Sequence, residues 1–215
     1  MFKKETYIKR REQLRKTVAS GILLFLGNDE CGMNYEDNTY PFRQDSTFLY
    51  FFGQPYAGLS AIIDIDNNKE IIFGDELTID HIVWMGTQPT IKEKSERVGI
   101  SSTQPAKSLE SYLKSALEKG QKIHFLPTYR PEHKLKLMNL LGYLPKPEDA
   151  SVSFIRAVVN QRNYKSAEEI EEIEKACNVT ADMHIKAMQM LRPGMRESDV
   201  AGALEDIAIS AGGGL

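Results

Sequence analysis

Four histidines are the residues of this sequence best suited to bind a metal ion or to act as a general base: His81, His124, His133 and His184. None of them shows the short spacing to another histidine, to a cysteine or to a carboxylate pair that metal-binding motifs use. His184 falls on the apolar face of a predicted helix, where we expect a core histidine rather than a ligand. The histidines therefore predict no metal site within these 215 residues.

Adjacent acidic residues are the second group that could ligate a metal. The pairs are Glu168 with Glu169, Glu171 with Glu172, and Glu205 with Asp206. Successive side chains on a helix point about 100° apart, so these pairs would not converge on one ion. The sequence also lacks a Gly-x-Gly-x-x-Gly or phosphate loop, a His-Glu-x-x-His and a Gly-x-Ser-x-Gly. Nucleotide binding and the commonest hydrolase sites therefore have no local support.

A polar stretch that runs directly into aromatic residues, from Tyr40 to Gly53, is the strongest candidate for a functional segment. Its polar part offers a guanidinium, an amide, a carboxylate and a hydroxyl, from Arg43, Gln44, Asp45 and Ser46. We expect Arg43 to pair with Asp37, Asp45 or a backbone carbonyl and so to pin the loop. Residues 48–52 are all apolar, which predicts a strand buried on both faces.

Strands and helices alternate through the first 150 residues. Strands are predicted at 21–27, 59–65, 69–73 and 122–126, and helices at 77–85, 108–119 and 131–141, with a polar stretch at 90–104. Turn residues 66–68 make a hairpin of the second and third of these strands. This order predicts an α/β fold, a three-layer domain with a mixed sheet flanked by helices.

The pattern changes near Asn160. A capping box at residues 166–169 opens a long helix that ends at residues 192–194, and a second helix follows from about Ser198. Both helices have apolar stripes with almost nothing to bury them against. We therefore predict a first domain at 1–159 and, at 160–215, the opening helices of a second, truncated domain.

Composition describes an ordinary folded protein, with 41% apolar and 27% charged residues and a net charge of -3. This charge gives no reason to expect binding to nucleic acid or to a membrane. The seven basic residues within 3–16 are interpreted as a solvated helix face. The apolar run Ile22–Leu26 is too short to span a bilayer, and no signal peptide precedes it, which predicts a cytoplasmic protein. Cys31 and Cys177 are expected to be free thiols.

The stretch from Tyr40 to Gly53 resembles the signature in the N-terminal domain of aminopeptidase P, the Xaa-Pro aminopeptidases of the creatinase and prolidase superfamily. The signature positions that we single out are Tyr40, Pro41, Arg43, Gln44, Ser46, Tyr50 and Gly53. Residues 165–170, His184 and residues 192–195 resemble the start of the same family's catalytic "pita-bread" domain. The resemblance covers essentially the whole chain.

This resemblance implies a parent enzyme that removes an N-terminal residue preceding proline, from peptides with proline at the second position. The family uses two divalent metal ions, usually manganese, held by two Asp, one His and two Glu that lie further along the catalytic domain. No metal ligand and no catalytic residue is therefore expected in this chain, which should be inactive alone. The N-terminal domain of the family supports homo-oligomer contacts, in dimers or tetramers, and restricts access to the active site.

Two residues match family positions near the substrate, Asp37 and Trp84. An indole face suits a proline ring and a carboxylate suits a peptide ammonium. The alternatives are a core position for Trp84 and a turn or capping role for Asp37. For the parent, a prolidase (Xaa-Pro dipeptidase) or a non-catalytic peptide- or histone-binding module of the same architecture are the alternative functions.

Overall fold

The computed structural model describes residues 1–35 and 37–213. The helices are α1 (Lys4–Val18), α2 (Ser46–Phe52), α3 (Ile79–Met85), α4 (Ile91–Glu96), α5 (Ser108–Glu118), α6 (Pro131–Leu141), α7 (Val152–Asn163), α8 (Ala167–Met190) and α9 (Glu197–Ser210), with a 3-10 turn at Pro147–Asp149. The strands are β1 (Ile22–Leu26), β2 (Gly32–Tyr35), β3 (Asn38–Thr39), β4 (Ser60–Asp64), β5 (Lys69–Phe73), β6 (Ser102–Gln104) and β7 (Ile123–His124). Residue contacts divide the chain into two compact units, Met1–Asn163 and Tyr164–Leu215.

The first unit is built on a five-stranded sheet with strand order β6-β5-β4-β1-β7. The β1–β4 and β4–β5 pairs are antiparallel, whereas β5–β6 and β1–β7 are parallel, so the sheet is mixed as predicted. The predicted hairpin of β4 and β5 is also confirmed, with Asp64 opposite Lys69 at its turn. β2 and β3 form a separate two-stranded hairpin.

Successive side chains of β1 point to opposite faces of the sheet, and a hydrophobic core lies on each face. Leu23 and Phe25 pack in the first core, with residues from α1, α2 and α7. Ile22 and Leu24 pack in the second, with residues from α5 and α6. The predicted layered fold, a mixed sheet flanked by helices, is confirmed.

The prediction of a strand at residues 48–52 is wrong, because this segment is helix α2. Phe48, Phe51 and Phe52 are fully buried while Leu49 is exposed, which is the spacing of a helix face. Asp45 and Gly53, at the two ends of the segment, decide this outcome through contacts described below.

Other differences are smaller. The polar stretch 90–104 contains the short helix α4 and the edge strand β6, and helix α7 lies in a segment for which no element was predicted. The compact units divide after Asn163, the last residue of α7, and the predicted domain boundary after residue 159 stays a prediction.

The second unit consists of α8 and α9 in its described part. Ser166 caps α8 through the predicted capping box with Glu169, with the Ser166 Oγ accepting from the Glu169 amide at 3.3 Å. No residue of either helix is buried. His184, which was expected in a core, is exposed.

Candidate functional site

The aromatic helix α2 begins at Asp45, whose carboxylate oxygen Oδ1 accepts hydrogen bonds from the amides of Thr47 and Phe48 at 2.9 and 2.8 Å. Two of the free amides of the first turn are thereby satisfied. The helix ends at Gly53, which adopts a left-handed conformation with φ of 58°. These two positions make seven aromatic-rich residues a helix, although their composition favours a strand.

Gln44 organises the loop before α2. Its side-chain amide is buried and donates to the carbonyls of Gln54 and Tyr56 at 3.1 and 2.7 Å. Its Oε1 accepts from the backbone amides of Asn28 and Asp45, both at 2.8 Å. One side chain therefore ties both ends of the aromatic helix to the loop that follows β1.

Two arginines of α1 donate hydrogen bonds to carbonyls at the C-terminal end of α2. Arg10 donates to the Tyr50 carbonyl at 2.8 Å and stacks on the Tyr50 ring, 3.8 Å from its centroid. Arg11 is completely buried and donates to the Phe51 carbonyl at 3.0 Å. Cationic donors at the last carbonyls of a helix complement its dipole, so these contacts stabilise α2 where it stops.

Arg11 also links α2 to strand β5 and to the turn that follows α4. Its Nη2 donates to the Val98 carbonyl at 2.8 Å, and its Nε forms an ion pair with Glu70 of β5 at 2.9 Å. The interpretation of residues 3–16 as a solvated face is therefore wrong for Arg10 and Arg11. Their spacing to the buried Tyr7 and Leu14, by three and four residues, is a signal that could have revealed this.

The remaining signature residues lie at the surface. The side chains of Tyr40, Pro41, Arg43 and Ser46 are exposed. Within residues 1–35 and 37–213 the Arg43 guanidinium forms no ion pair or hydrogen bond, so it does not have the predicted partner. The Arg43 carbonyl does hold the loop, by accepting from the Asn28 side chain at 2.7 Å. The signature therefore combines a buried half that shapes α2 with an exposed half.

Asp37 and Trp84 are both exposed. Asp37 lies in the turn between β2 and β3, and Trp84 lies on α3 with 87% of its surface accessible. The core alternative for Trp84 is therefore excluded. α3 is capped by Thr78, yet none of its residues is buried. No hydrogen bond joins the two side chains within residues 1–35 and 37–213, and their predicted roles near a substrate stay predictions.

The histidines of the first unit take structural positions. His133 is buried and hydrogen-bonded through Nε2 to the Gly27 carbonyl at 3.1 Å, and burial lowers its pKa. His124 is buried, with Nδ1 2.7 Å from the hydroxyl of Ser151, and burial and then the charge of Lys122 lower its pKa. Among residues 1–35 and 37–213, no three His, Cys, Asp or Glu side chains are grouped so that they could hold a metal ion. The described residues do not fit a two-metal centre.

A small cavity of about 130 Å³ opens beside α2, at the carboxyl ends of the parallel strands β1 and β7. Asp45 and Thr47 line one side of it, and His133 and Tyr129 line another. Its other walls are apolar side chains, mainly leucines and Phe125. Ligands of open α/β sheets commonly bind at such strand ends. Nothing in the local sequence marked this cavity, because its lining comes from four separate segments.

Within residues 1–35 and 37–213, no helix is both long and apolar enough to cross a membrane.

Two family models match the chain in succession. Residues 7–124 match the aminopeptidase P, N-terminal domain, and residues 171–215 match metallopeptidase family M24. A probable Xaa-Pro aminopeptidase of Sordaria macrospora is 25% identical over 194 residues, which cover 90% of this chain and 33% of the relative. The Xaa-Pro dipeptidase of Homo sapiens is 26% identical over 210 residues, which cover 94% of this chain and 41% of the relative.

Solved structures show the same fold. Aminopeptidase P from E. coli superposes with a TM-score of 0.80 at 21% identity, over 99% of this chain and 50% of that one. Pseudomonas aeruginosa aminopeptidase PepP gives a TM-score of 0.80 at 22% identity, over 98% and 50%. The chain thus spans a third to two fifths of these curated relatives and half of these solved chains. With more than half of its residues matched by one family model and the same fold in solved members, the chain belongs to the aminopeptidase P N-terminal domain family.

Proposed function

We propose that this chain is the N-terminal part of a metal-dependent Xaa-Pro aminopeptidase, which releases the residue preceding proline from peptides with proline at the second position. The observation that carries the proposal is the succession of the two family matches, an aminopeptidase P N-terminal domain followed by the start of an M24 metallopeptidase. The names of the relatives from Sordaria macrospora and other fungi support this substrate class.

The catalytic metal centre belongs, on this proposal, to the length of protein that the relatives have and this chain does not span. Two divalent ions, manganese by the family resemblance, would supply the activated water and polarise the scissile carbonyl there. The described residues of this chain offer no ligand cluster for them. The first compact unit, Met1–Asn163, then serves as the non-catalytic domain, and α8 and α9 open the catalytic domain.

The first unit would contribute to substrate access and to assembly into a homo-oligomer. Support for both roles comes from α3, where Ile79, Val83, Trp84 and Met85 are all largely exposed. Apolar side chains concentrated on a surface helix mark an interaction site more often than a free surface. Trp84 offers a flat indole for a proline ring, and Asp37, in an exposed turn, offers a carboxylate for a peptide ammonium.

A prolidase, which cleaves Xaa-Pro dipeptides, is the second candidate. The human Xaa-Pro dipeptidase matches 94% of this chain at 26% identity, no less well than the fungal aminopeptidases. The two candidates differ in substrate length, because a dipeptidase needs the free carboxylate directly after proline.

Assays of the 215-residue chain and of the complete reading frame that contains it test the proposal. We expect the longer protein, with added manganese, to release the first residue of an Xaa-Pro-Xaa tripeptide, and expect the 215-residue chain to release none. Cleavage of Xaa-Pro dipeptides alone would establish the prolidase. If the longer protein binds either peptide without cleaving it, the protein is a binding module. Activity of the 215-residue chain would overturn the placement of the metal centre.

A matched pair of variants in the longer protein tests the role of Trp84. W84A should raise the KM for Xaa-Pro-Xaa peptides, whereas L135A, at an exposed apolar position of α6 outside the apolar surface of α3, should leave it unchanged. Equal KM values for both variants would remove Trp84 from the substrate site.

A further inference from the structure

The cavity between α2, α6 and the ends of β1 and β7 carries an inference independent of the peptidase proposal. α6 places His133 and Leu137, four residues apart, on its wall, and the start of α2 places Asp45 and Thr47 there. Tyr129 lies beside His133, with the two rings in an edge-to-face arrangement and their centroids 6.3 Å apart. All of these residues belong to the first compact unit.

His133 presents a hydrogen-bond acceptor in this cavity. Its Nε2 is bonded to the Gly27 carbonyl, which can only accept, so Nε2 must carry the proton. In the neutral ring Nδ1 is then an acceptor, and burial favours the neutral ring by lowering the pKa. Only 5% of the His133 surface is accessible, and its Nδ1 has no hydrogen bond recorded in the described chain. Nδ1 itself is not fully buried, so it can accept a hydrogen bond from a ligand.

Asp45 adds a second acceptor. Its Oδ1 caps α2, while no recorded bond in the described chain uses its Oδ2. Its charge acts on His133, where it opposes the effect of burial on the His133 pKa. Two neighbouring acceptors, one of them anionic, select a ligand that is a cationic donor.

The size and walls of the cavity restrict the rest of the ligand. Leu24, Leu26, Phe125 and Leu137 form apolar walls. The volume is about 130 Å³, slightly below the cavity of about 150 Å³ known to hold benzene. We propose that this cavity binds a small alkylammonium ion of about five or six non-hydrogen atoms, with its ammonium between Asp45 and His133 and its hydrocarbon against the leucines.

Methyl NMR of the 215-residue chain, titrated with isobutylammonium chloride, tests this site. We expect saturable shifts of the methyl signals of Leu24, Leu26 and Leu137, and none for Leu23, which packs in the core on the other face of the sheet. Isobutanol, the neutral isostere, should bind at least about tenfold more weakly, since it lacks the charge-assisted hydrogen bonds. Absence of saturation, or equal affinity for the alcohol, would overturn the proposal.

Two single-charge variants sharpen the test. D45N keeps an oxygen to cap α2 but replaces Oδ2 by a donor, so isobutylammonium affinity should fall to that of the alcohol. D29N removes the same charge from an exposed carboxylate that also acts on His133 but does not line the cavity, and should retain the original affinity. Retained affinity in D45N, or an equal loss in both variants, would refute the site. Peptidase activity of the longer protein has no bearing on any of these outcomes.

Discussion

Helices α2 and α3 are built from similar local signals and end in opposite environments. Each has seven residues, a side-chain cap at its start and a glycine with positive φ at its end, Gly53 or Gly86. Each is rich in large apolar residues. Yet the three phenylalanines of α2 are fully buried, whereas no residue of α3 is buried.

The difference lies in what meets the two helices. Arg10 and Arg11 of α1 reach the last carbonyls of α2, and Phe25 of β1 packs against Phe51 and Phe52 with ring centroids 5.4 and 4.9 Å away. α3 has its own capping box, formed by Thr78 and His81, but none of its residues is buried against another element. A helix of this length is not stable by itself in water, so α2 depends on its tertiary contacts. The apolar surface of α3 stays exposed.

The pair of variants with the largest expected difference in stability replaces one aromatic residue in each helix. F51A should destabilise the first unit by about 3–5 kcal/mol, because it removes a fully buried ring from the core. W84A should change the free energy of unfolding by less than about 0.5 kcal/mol, because the indole is exposed. Urea unfolding of the two variants gives both values. Comparable losses would show that α3 is packed in solution.

Replacing Arg11, which bonds to a carbonyl at the end of α2, should give the second largest loss of unfolding free energy. R11M removes the donors to the Phe51 and Val98 carbonyls and leaves them buried, so we expect a loss of about 3 kcal/mol in unfolding free energy. K16M, on an exposed position of the same helix, is the control and should change it by less than about 0.5 kcal/mol. If R11M unfolds at the same urea concentration as K16M, the hydrogen bonds of Arg11 do not stabilise α2.

The two terminal glycines give a smaller, matched test. A Cβ at Gly53 would lie 2.4 Å from Cζ of Tyr7, whereas a Cβ at Gly86 meets no atom within 4 Å. Both positions have positive φ, which costs about 1 kcal/mol for alanine. G86A should show only that cost, and G53A should exceed it by about 1–3 kcal/mol as the Tyr7 ring is displaced. Thermal unfolding of both variants measures the difference, and equal melting temperatures would contradict it.

Acid should destabilise the first compact unit through its two buried histidines, His124 and His133. Burial lowers the pKa of both, so the folded protein binds fewer protons than the unfolded chain. Their contribution to stability is complete above the unfolded value near pH 6.5 and is lost as pH falls through the folded values. Urea midpoints should therefore decrease below about pH 6.5. In H133F the remaining decrease should be shallower, and an unchanged slope would exclude His133 as a source.

Sequence reasoning found the elements whose signals are local. The hairpin of β4 and β5, the start of α8 at Ser166 and the end of α6 at Gly142 follow from turn and capping chemistry. It failed for residues 48–52, where aromatic content favours a strand but Asp45 and Gly53 are spaced as the two ends of a helix. It also missed the burial of Arg11, because a basic helix suggests solvent unless its spacing to Tyr7 and Leu14 is weighed.

The sequence alone determined the family, the layered α/β fold and the positions of most helices and strands, because capping, turn and alternation patterns act between near neighbours. Tertiary structure decided which apolar helix is buried, where the guanidiniums of α1 bond, and that Asp45 and His133 line the same cavity. Those outcomes join residues 40 to 90 positions apart, and no local pattern encodes how distant segments satisfy each other's carbonyls.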